Sequence, residues 1–322
     1  MRIVLLFLLF LFSYLGAKDI TPFLTIKVDG LAKDIALGKE NQLVIGTDSG
    51  KMMVYDYKDK KFVKIVQVPK IKDFMGDIID TRVSSVDYLD GRYLLVSDSG
   101  VGGYSDLRIH ENNKTIDIFT ENDKLPIIEA KFITKDKILL GFLSNEVALY
   151  DLKNKKFLYK EQLTESKFSD LALNEDRSLA AVSCESGEVD IVSTKDGKIL
   201  KRLSGLNLDN VYRVDLKKDM VSCAGQDRRG AWYNIKTGKG DYIEAKFLVY
   251  ATALSPDAKE AAFALDEKNN IYIIDLATKA TKYLLKGQKS TLNNIIYKDK
   301  NTLFSASDDE YVLMWKLDKG DK

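Results

Sequence analysis

The sequence predicts an all-β, seven-bladed β-propeller, closed into a ring by an N-terminal outer strand. Three observations predict it. A short apolar strand ending in an aromatic or branched residue recurs seven times at near-constant spacing. Each recurrence sits in a unit of four short strands separated by polar turns. The composition, with 45% apolar residues, 16 tyrosines and 4 prolines among 322 residues, suits tightly turned β structure around a sizeable core.

The chain begins with a pattern that precedes the fold. Met1-Arg2 supplies a short positive start, Ile3 to Phe12 is an unbroken apolar run, and Ser13 to Ala17 offers a small-residue cleavage site. Residues 1–17 are therefore expected to be an export signal, and 18–322 a single propeller domain in the periplasm. The apolar run is about ten residues, where a membrane span needs roughly 20. No cysteine follows it, so an acylation site is lacking. Lys+Arg number 49 against 48 Asp+Glu, and removal of Arg2 with the leader leaves the two signs equal. That balance argues against a nucleic-acid partner or an anionic membrane surface. The expectation is a monomer without a membrane anchor once the signal is cleaved.

The repeat is anchored by Tyr55-Asp56, Ile109-His110, Tyr150-Asp151, Val192-Ser193, Tyr233-Asn234, Ile274-Asp275 and Trp315-Lys316. Between the second residues of successive pairs the steps are 54, 41, 42, 41, 41 and 41. Within a unit, a short first strand such as Asn210 to Val214 leads through a polar turn to a second. The second strand ends in small residues, as in Leu43 to Thr47, Met220 to Ala224 or Leu303 to Ser307. An acidic or glycine turn opens the third strand, which carries the anchor pair. A turn such as Lys195-Asp196-Gly197-Lys198 opens the fourth.

Leu254-Ser255-Pro256-Asp257, the segment Leu303 to Lys316, and Cys223 to Arg228 leading to Trp232-Tyr233-Asn234 resemble WD40 repeats. The resemblance covers nearly all of residues 18–322 and implies the propeller fold. It departs from the family where Trp-Asp becomes Tyr-Asp, Ile-Asp, Tyr-Asn or Trp-Lys. It departs again where Gly287-Gln288 and Gly205-Leu206 stand in place of Gly-His. The buried Asp-His-Ser-Trp network of the family is therefore not assumed. An export signal, an unlipidated degenerate WD propeller and a Lys-rich composition together are most similar to the NapL family, accessory proteins encoded beside the periplasmic nitrate reductase. That resemblance implies a role in maturation or electron supply of the reductase without a cofactor of the protein's own.

Ring closure follows from the chain ends. Trp315-Lys316 lies six residues from the C-terminus, which leaves no room for a fourth strand in the last blade. Phe23 to Val28 is a spare strand at the other end, and pairing the two removes an open edge. The step of 54 marks an insertion in the second unit, divided between a loop over Lys70 to Thr81 and the glycine-rich turn Ser99 to Ser105. Insertions in stacked repeats map to one face, often the binding face.

Catalytic inventory is thin. The single histidine, His110, occupies the polar position of an anchor pair and reads as a strand-end or turn residue. Neither a Gly-x-Ser-x-Gly elbow nor His/Cys clusters for zinc or haem occur, and Gly100-x-Gly102-Gly103 lacks the Lys-Ser/Thr and helix of a phosphate loop. Cys184 and Cys223 fall on second strands of neighbouring units with side chains on the same face, which reads as two free buried thiols. Asp227-Arg228-Arg229 and Asp308-Asp309-Glu310 are expected in rim turns.

The favoured function is a non-enzymatic interaction scaffold with no cofactor or metal. Phe74, Met75 and Tyr104 are the candidate apolar anchors, and Arg228 and Arg229 the candidate charged rim contacts, for a periplasmic protein partner. The resemblance points to nitrate reductase or its electron-transfer proteins as that partner. The alternatives are a ligand-binding or enzymatic propeller using the central channel, where Arg213, Arg228 and Arg229 are available, and an envelope-assembly factor.

Overall fold

The computed structural model describes residues 16–318. The export signal expected over 1–17 lies, apart from Gly16 and Ala17, outside the described residues. Seven antiparallel sheets follow one another along the chain at 32–67, 83–119, 127–162, 168–203, 211–244, 252–285 and 292–316, numbered here as blades 1 to 7. The first strand of each blade packs against the first strands of both neighbours, and blade 7 returns to blade 1 around a central channel. The predicted seven-bladed propeller is the observed fold.

Each junction between blades is one hydrophobic cluster. Val44, Met52, Val54 and Val66 of blade 1 pack on Val83, Val86, Tyr93 and Leu95 of blade 2, and six further clusters among the described residues repeat this pairing around the ring. Inner strands are therefore buried on both faces, which is why Leu43-Val44-Ile45 and Leu139-Leu140 are apolar without alternation. Where the next blade comes closest, only glycine fits. A Cβ at Gly46 would lie 2.8 Å from the Val83 carbonyl oxygen, and one at Gly141 would lie 2.5 Å from the Phe168 ring.

The N-terminal segment closes the ring twice. Leu24–Lys27 pairs antiparallel with Tyr311–Met314 as the fourth strand of blade 7, as the sequence predicts. Lys18–Ile20 also runs parallel to Thr281–Leu285 as a fifth strand of blade 6. Three residues are too few to carry a periodicity, so nothing in the sequence announced this second pairing. Ile20, Ile26 and Val28 are buried by these contacts.

The WD-type network survives in blade 7 with a substitution. Trp315 Nε1 donates to Ser305 Oγ at 2.8 Å, Ser305 donates to Gln288 Oε1 at 2.7 Å, and Gln288 Nε2 donates to Ser307 Oγ. Gln288 thus takes the histidine's place, since an amide offers the same acceptor and donor pair as a neutral imidazole. In blade 5 Tyr233 accepts the Leu206 N–H through its hydroxyl at 2.8 Å instead. Both cysteines are free and buried. Cys223 packs among Ala181, Val189 and Ile191 of blade 4, and Cys184 faces Thr164 and Ser186, so the two side chains leave the same side of their blades and do not meet. His110 is buried inside the strand Ser105–Glu111 rather than in a turn. Its ring lies between Thr115 at 2.9 Å and Lys64 at 3.3 Å, and burial followed by the Lys64 charge lowers its pKa.

Deletion of residues 18–29 removes three buried aliphatic side chains, each contributing ~2 kcal/mol, and bares the outer edges of two blades. The expected result is aggregation or a melting temperature lower by ten degrees or more, read by circular dichroism and size exclusion. A truncation as stable as the parent contradicts the closure.

Candidate functional site

Two regions gather polar chemistry, the central channel and the turn-bearing faces. In the channel the first strands slip register between Ala32 and Asp34, Ile127 and Glu129, Phe168 and Asp170, Val211 and Arg213, and Leu292 and Asn294. A bulge re-aims the residue that follows it. The re-aimed carboxylates take up N–H groups of the next blade's first strand: Asp34 accepts from Val86 at 2.9 Å, Glu129 from Leu171 at 2.9 Å and Asp170 from Val214 at 2.8 Å. Asp87 accepts from Phe132, and Asp215 from Leu254, each at 2.8 Å. At the junction of blades 7 and 1, Asn294 Nδ2 donates to Asp34 Oδ1 at 2.7 Å.

Cations answer these carboxylates from the same strand or from another blade. Lys131 sits 2.9 Å from Glu129 and 3.8 Å from Asp34. Arg213 donates to Asp170 at 2.7 Å and through Nε to the Asn293 carbonyl at 2.8 Å. Arg177 holds Asp87 at 2.7 Å, and Lys217 holds Asp215 at 3.0 Å. They line a cavity of about 370 Å³ that opens beside the turn at residues 174–178. Burial pushes the Glu129 carboxyl up to about 8 against the pull of Lys131. The Tyr297 hydroxyl, also lining the cavity, is buried without a hydrogen-bond partner among the described residues. Arg213, foreseen as available to a ligand, is tied into this network.

The two faces differ sharply in chemistry. In an antiparallel meander successive turns alternate ends, so second-to-third-strand turns and blade-to-blade links share one face, while first-to-second and third-to-fourth turns share the other. On the first face the seven second-to-third turns carry Asp48, Glu185, Glu188, Asp227, Asp266, Glu267, Asp308, Asp309 and Glu310, against Arg228 and Lys268. On the second face the six third-to-fourth turns among the described residues carry Lys58, Lys60, Lys153, Lys155, Lys195, Lys198, Lys236, Lys239 and Lys279, against Asp59 and Asp196. A chain with nearly no net charge thus has one ring of acidic turns and one of lysine turns, which mark an acidic and a basic face, while the links and first-to-second turns beside them carry both signs.

Exposed apolar side chains segregate too. Leu31, Phe74, Met75, Ile78, Ile79, Val101, Leu143, Leu208 and Phe247 lie in links and turns of the acidic face, whereas Phe23, Leu37 and Ile199 lie at the basic face and Val63, Ile65, Ile116, Leu158 and Leu200 on outer strands. The insertion accounts for the densest group. Residues 70–81, read from the sequence as a loop, contain a short hairpin pairing Ile71–Lys72 with Ile78–Ile79. Asp73 Oδ1 accepts the N–H groups of Met75 and Asp77, both at 2.9 Å, and the Lys70–Asp80 ion pair at 3.0 Å closes the base. The tip is thereby held away from the body, with Phe74 95% and Met75 73% exposed. The glycine-rich turn packs against this hairpin, since a Cβ at Gly100 would lie 2.8 Å from the Ile71 Cβ and the Lys72 carbonyl oxygen.

Phe74 and Met75 therefore form the end of one protrusion. Tyr104 sits half-buried at its foot, its ring against Gly102, with its backbone closing the turn onto Val101 and Ser99. Arg228 and Arg229 share the acidic face but belong to blade 5, across the ring from the protrusion on blade 2. Arg228 is exposed. Arg229 donates to the Leu206 carbonyl at 2.9 Å and lies 4.4 Å over the Tyr242 ring. The stacked Tyr212–Tyr250 pair, 5.0 Å between centroids, was not foreseen as part of this face. Among the described residues, no group of three or more His, Cys, Asp or Glu side chains is placed to hold a metal ion, and no helix is long and apolar enough to cross a membrane. Neither the family models nor the curated proteins compared with this chain match it.

Two measurements test the channel. Asp170→Ala leaves the Arg213 guanidinium and the Val214 N–H without their partner and is expected to cost ~3 kcal/mol, part of which Arg213→Met restores. A lone Asp170→Ala as stable as the parent contradicts the bridge. A carboxyl raised in the folded state contributes stability that is complete below its unfolded pKa, roughly 4.3, and is lost as pH rises through the folded value of about 8. Melting temperature should fall across that window less steeply in Glu129→Gln than in the parent; parallel curves contradict the raised value.

Proposed function

We propose that the protein is a non-catalytic interaction scaffold of the periplasm whose acidic face docks a protein partner, with the blade 2 hairpin as its anchor. The observation that carries this reading is the concentration of exposed apolar side chains at Phe74, Met75 and Ile78 of that face, on a hairpin braced by Asp73, Gly100 and the Lys70–Asp80 pair. A large aromatic held almost wholly in solvent loses contact with water only when something covers it, and aromatic and Met side chains are enriched at interface cores. A braced hairpin also carries little ordering cost on binding.

The apolar run and small-residue site at the start of the sequence support export, and the absence of a cysteine after the run supports an unlipidated form. The similarity to the NapL family makes the periplasmic nitrate reductase and its electron-transfer proteins the first partners to test. The reductase's maturation or electron supply is the process served in this reading.

The test is co-purification with a C-terminally tagged chain from periplasm of cells grown anaerobically on nitrate, comparing the parent with a Phe74→Ser/Ile78→Ser variant. Recovery of the reductase or its electron-transfer proteins by the parent, reduced at least about tenfold in the variant at unchanged melting temperature, is expected. Equal recovery by both forms removes the hairpin from the interface. Co-purification of outer-membrane assembly proteins instead replaces the nitrate reductase assignment.

A further inference from the structure

We propose that the lysine-bearing face, opposite the proposed partner face and argued independently of it, docks peripherally on a lipid bilayer carrying anionic head groups. The cations are placed by the repeat itself. Third-to-fourth turns follow the anchor pairs, and those of blades 1, 3, 4, 5 and 6 place lysines at the outer rim of one face, while that of blade 2 is Asn112-Asn113. Lys58, Lys60, Lys153, Lys155, Lys195 and Lys239 are exposed. Other cations at this face are paired, among them Lys61 with Asp59, Lys198 with Asp196, Lys236 with Asp219 and Lys279 with Asp241. These six have no carboxylate partner among the described residues. Acidic residues bounding the same turns are occupied by their own backbone: Asp56 accepts the N–H groups of Lys58 and Asp59, Asp151 that of Asn154, and Asp275 that of Thr278. Those carboxylates keep their charge but lie against the backbone, and the ammonium groups are the unpaired charges that reach solvent.

The shape of the array selects the occupant. The charges stand at the rim of blades 1, 3, 4 and 5, and the large apolar side chains exposed at this face among the described residues, Phe23, Leu37 and Ile199, are scattered over blades 7, 1 and 4, so a protein partner finds little to bury as one patch. Cations set at one rim of four blades meet a planar anionic surface together, where a rod-like polyanion touches only some of them. A second copy of the chain fits less well. The acidic turns join inner strands and lie at a smaller radius than the lysine turns, and the blade 2 hairpin stands out from the acidic face between the two copies. Each lysine near an anionic leaflet adds to the attraction, which vanishes beyond a Debye length. Overall neutrality does not oppose this contact: at this face Glu40, Asp90, Asp136, Glu175, Asp176 and Asp257 sit in first-to-second turns nearer the channel, while the lysines stand at the outer rim.

The experiment is co-sedimentation of the purified chain with vesicles of phosphatidylcholine alone or phosphatidylcholine with phosphatidylglycerol, at low and high salt. The variant is Lys58→Glu/Lys153→Glu/Lys195→Glu/Lys239→Glu, which avoids the left-handed backbone positions of Lys60 and Lys155. Expected is binding to the anionic vesicles that high salt reverses and that the variant loses by at least about tenfold, with its melting temperature unchanged. Any contribution of the apolar run Ile3 to Phe12 appears with both vesicle types alike and cancels in their comparison. Equal binding to the two lipid compositions overturns the proposal, as does equal binding by variant and parent. Retention on heparin without sedimentation on anionic vesicles assigns the face to a soluble polyanion instead, and salt-sensitive self-association without vesicle binding assigns it to a second copy.

Discussion

The hydrogen bond from a first-strand carboxylate to the first-strand N–H of the following blade sets the geometry on which the ring depends. A first strand is the edge of its sheet and lines the channel, so its outward N–H groups are buried with no strand beside them. Asp34, Asp87, Glu129, Asp170 and Asp215 satisfy one such group each, and every bond of this kind fixes one blade against the next. Carboxylates so placed need counter-charge: Lys131 and Lys217 supply it from the same strand as Glu129 and Asp215, and Arg177 and Arg213 supply it to Asp87 and Asp170 from other blades. Two of these ion pairs therefore tie blades together. The apolar clusters between blades contribute most of the buried surface, but they are non-directional and do not by themselves choose an angle between sheets.

With the blades fixed, turn chemistry decides what each face presents. A meander sends its turns alternately to opposite ends, and the sequence places acids in one set and lysines in the other. The result is a molecule whose summed charge says little about either surface. Asp73 shows the same local economy in the hairpin, where one carboxylate oxygen organises the tip and leaves Phe74 and Met75 outward.

Most of the architecture was legible in the sequence because the repeat is periodic and the anchor pairs end strands buried on both sides. Tyr55, Tyr150, Tyr233 and Trp315 are all nearly inaccessible, so burial itself wrote the period. The closing strand was legible through the shortfall of residues after Trp315. Lys18–Ile20 was not, because a three-residue edge strand has no pattern of its own. The first-strand carboxylates were visible as acids inside otherwise apolar segments, as in Phe168-Ser169-Asp170-Leu171, yet a bulge rather than simple alternation aims them, and bulges leave no composition signal. The candidate anchors Phe74, Met75 and Tyr104 were found through irregular spacing alone. That they share a face with Arg228 follows from turn order, whereas the bracing of the hairpin by Gly100 required the third dimension.

The double pairing of residues 18–27 also fixes when the fold can be completed. Lys18 meets Tyr283, and Leu24 meets Met314, so the earliest residues of the domain find their partners only among its last. Contacts of such long sequence separation carry a high loop-closure entropy and form late. Until blade 7 exists, blades 1 to 6 are an open arc with two exposed edges, and Leu24–Lys27 stays unpartnered. Closure is therefore a single terminal event that reports the arrival of the whole chain, and a chain cut short anywhere before blade 7 remains an arc.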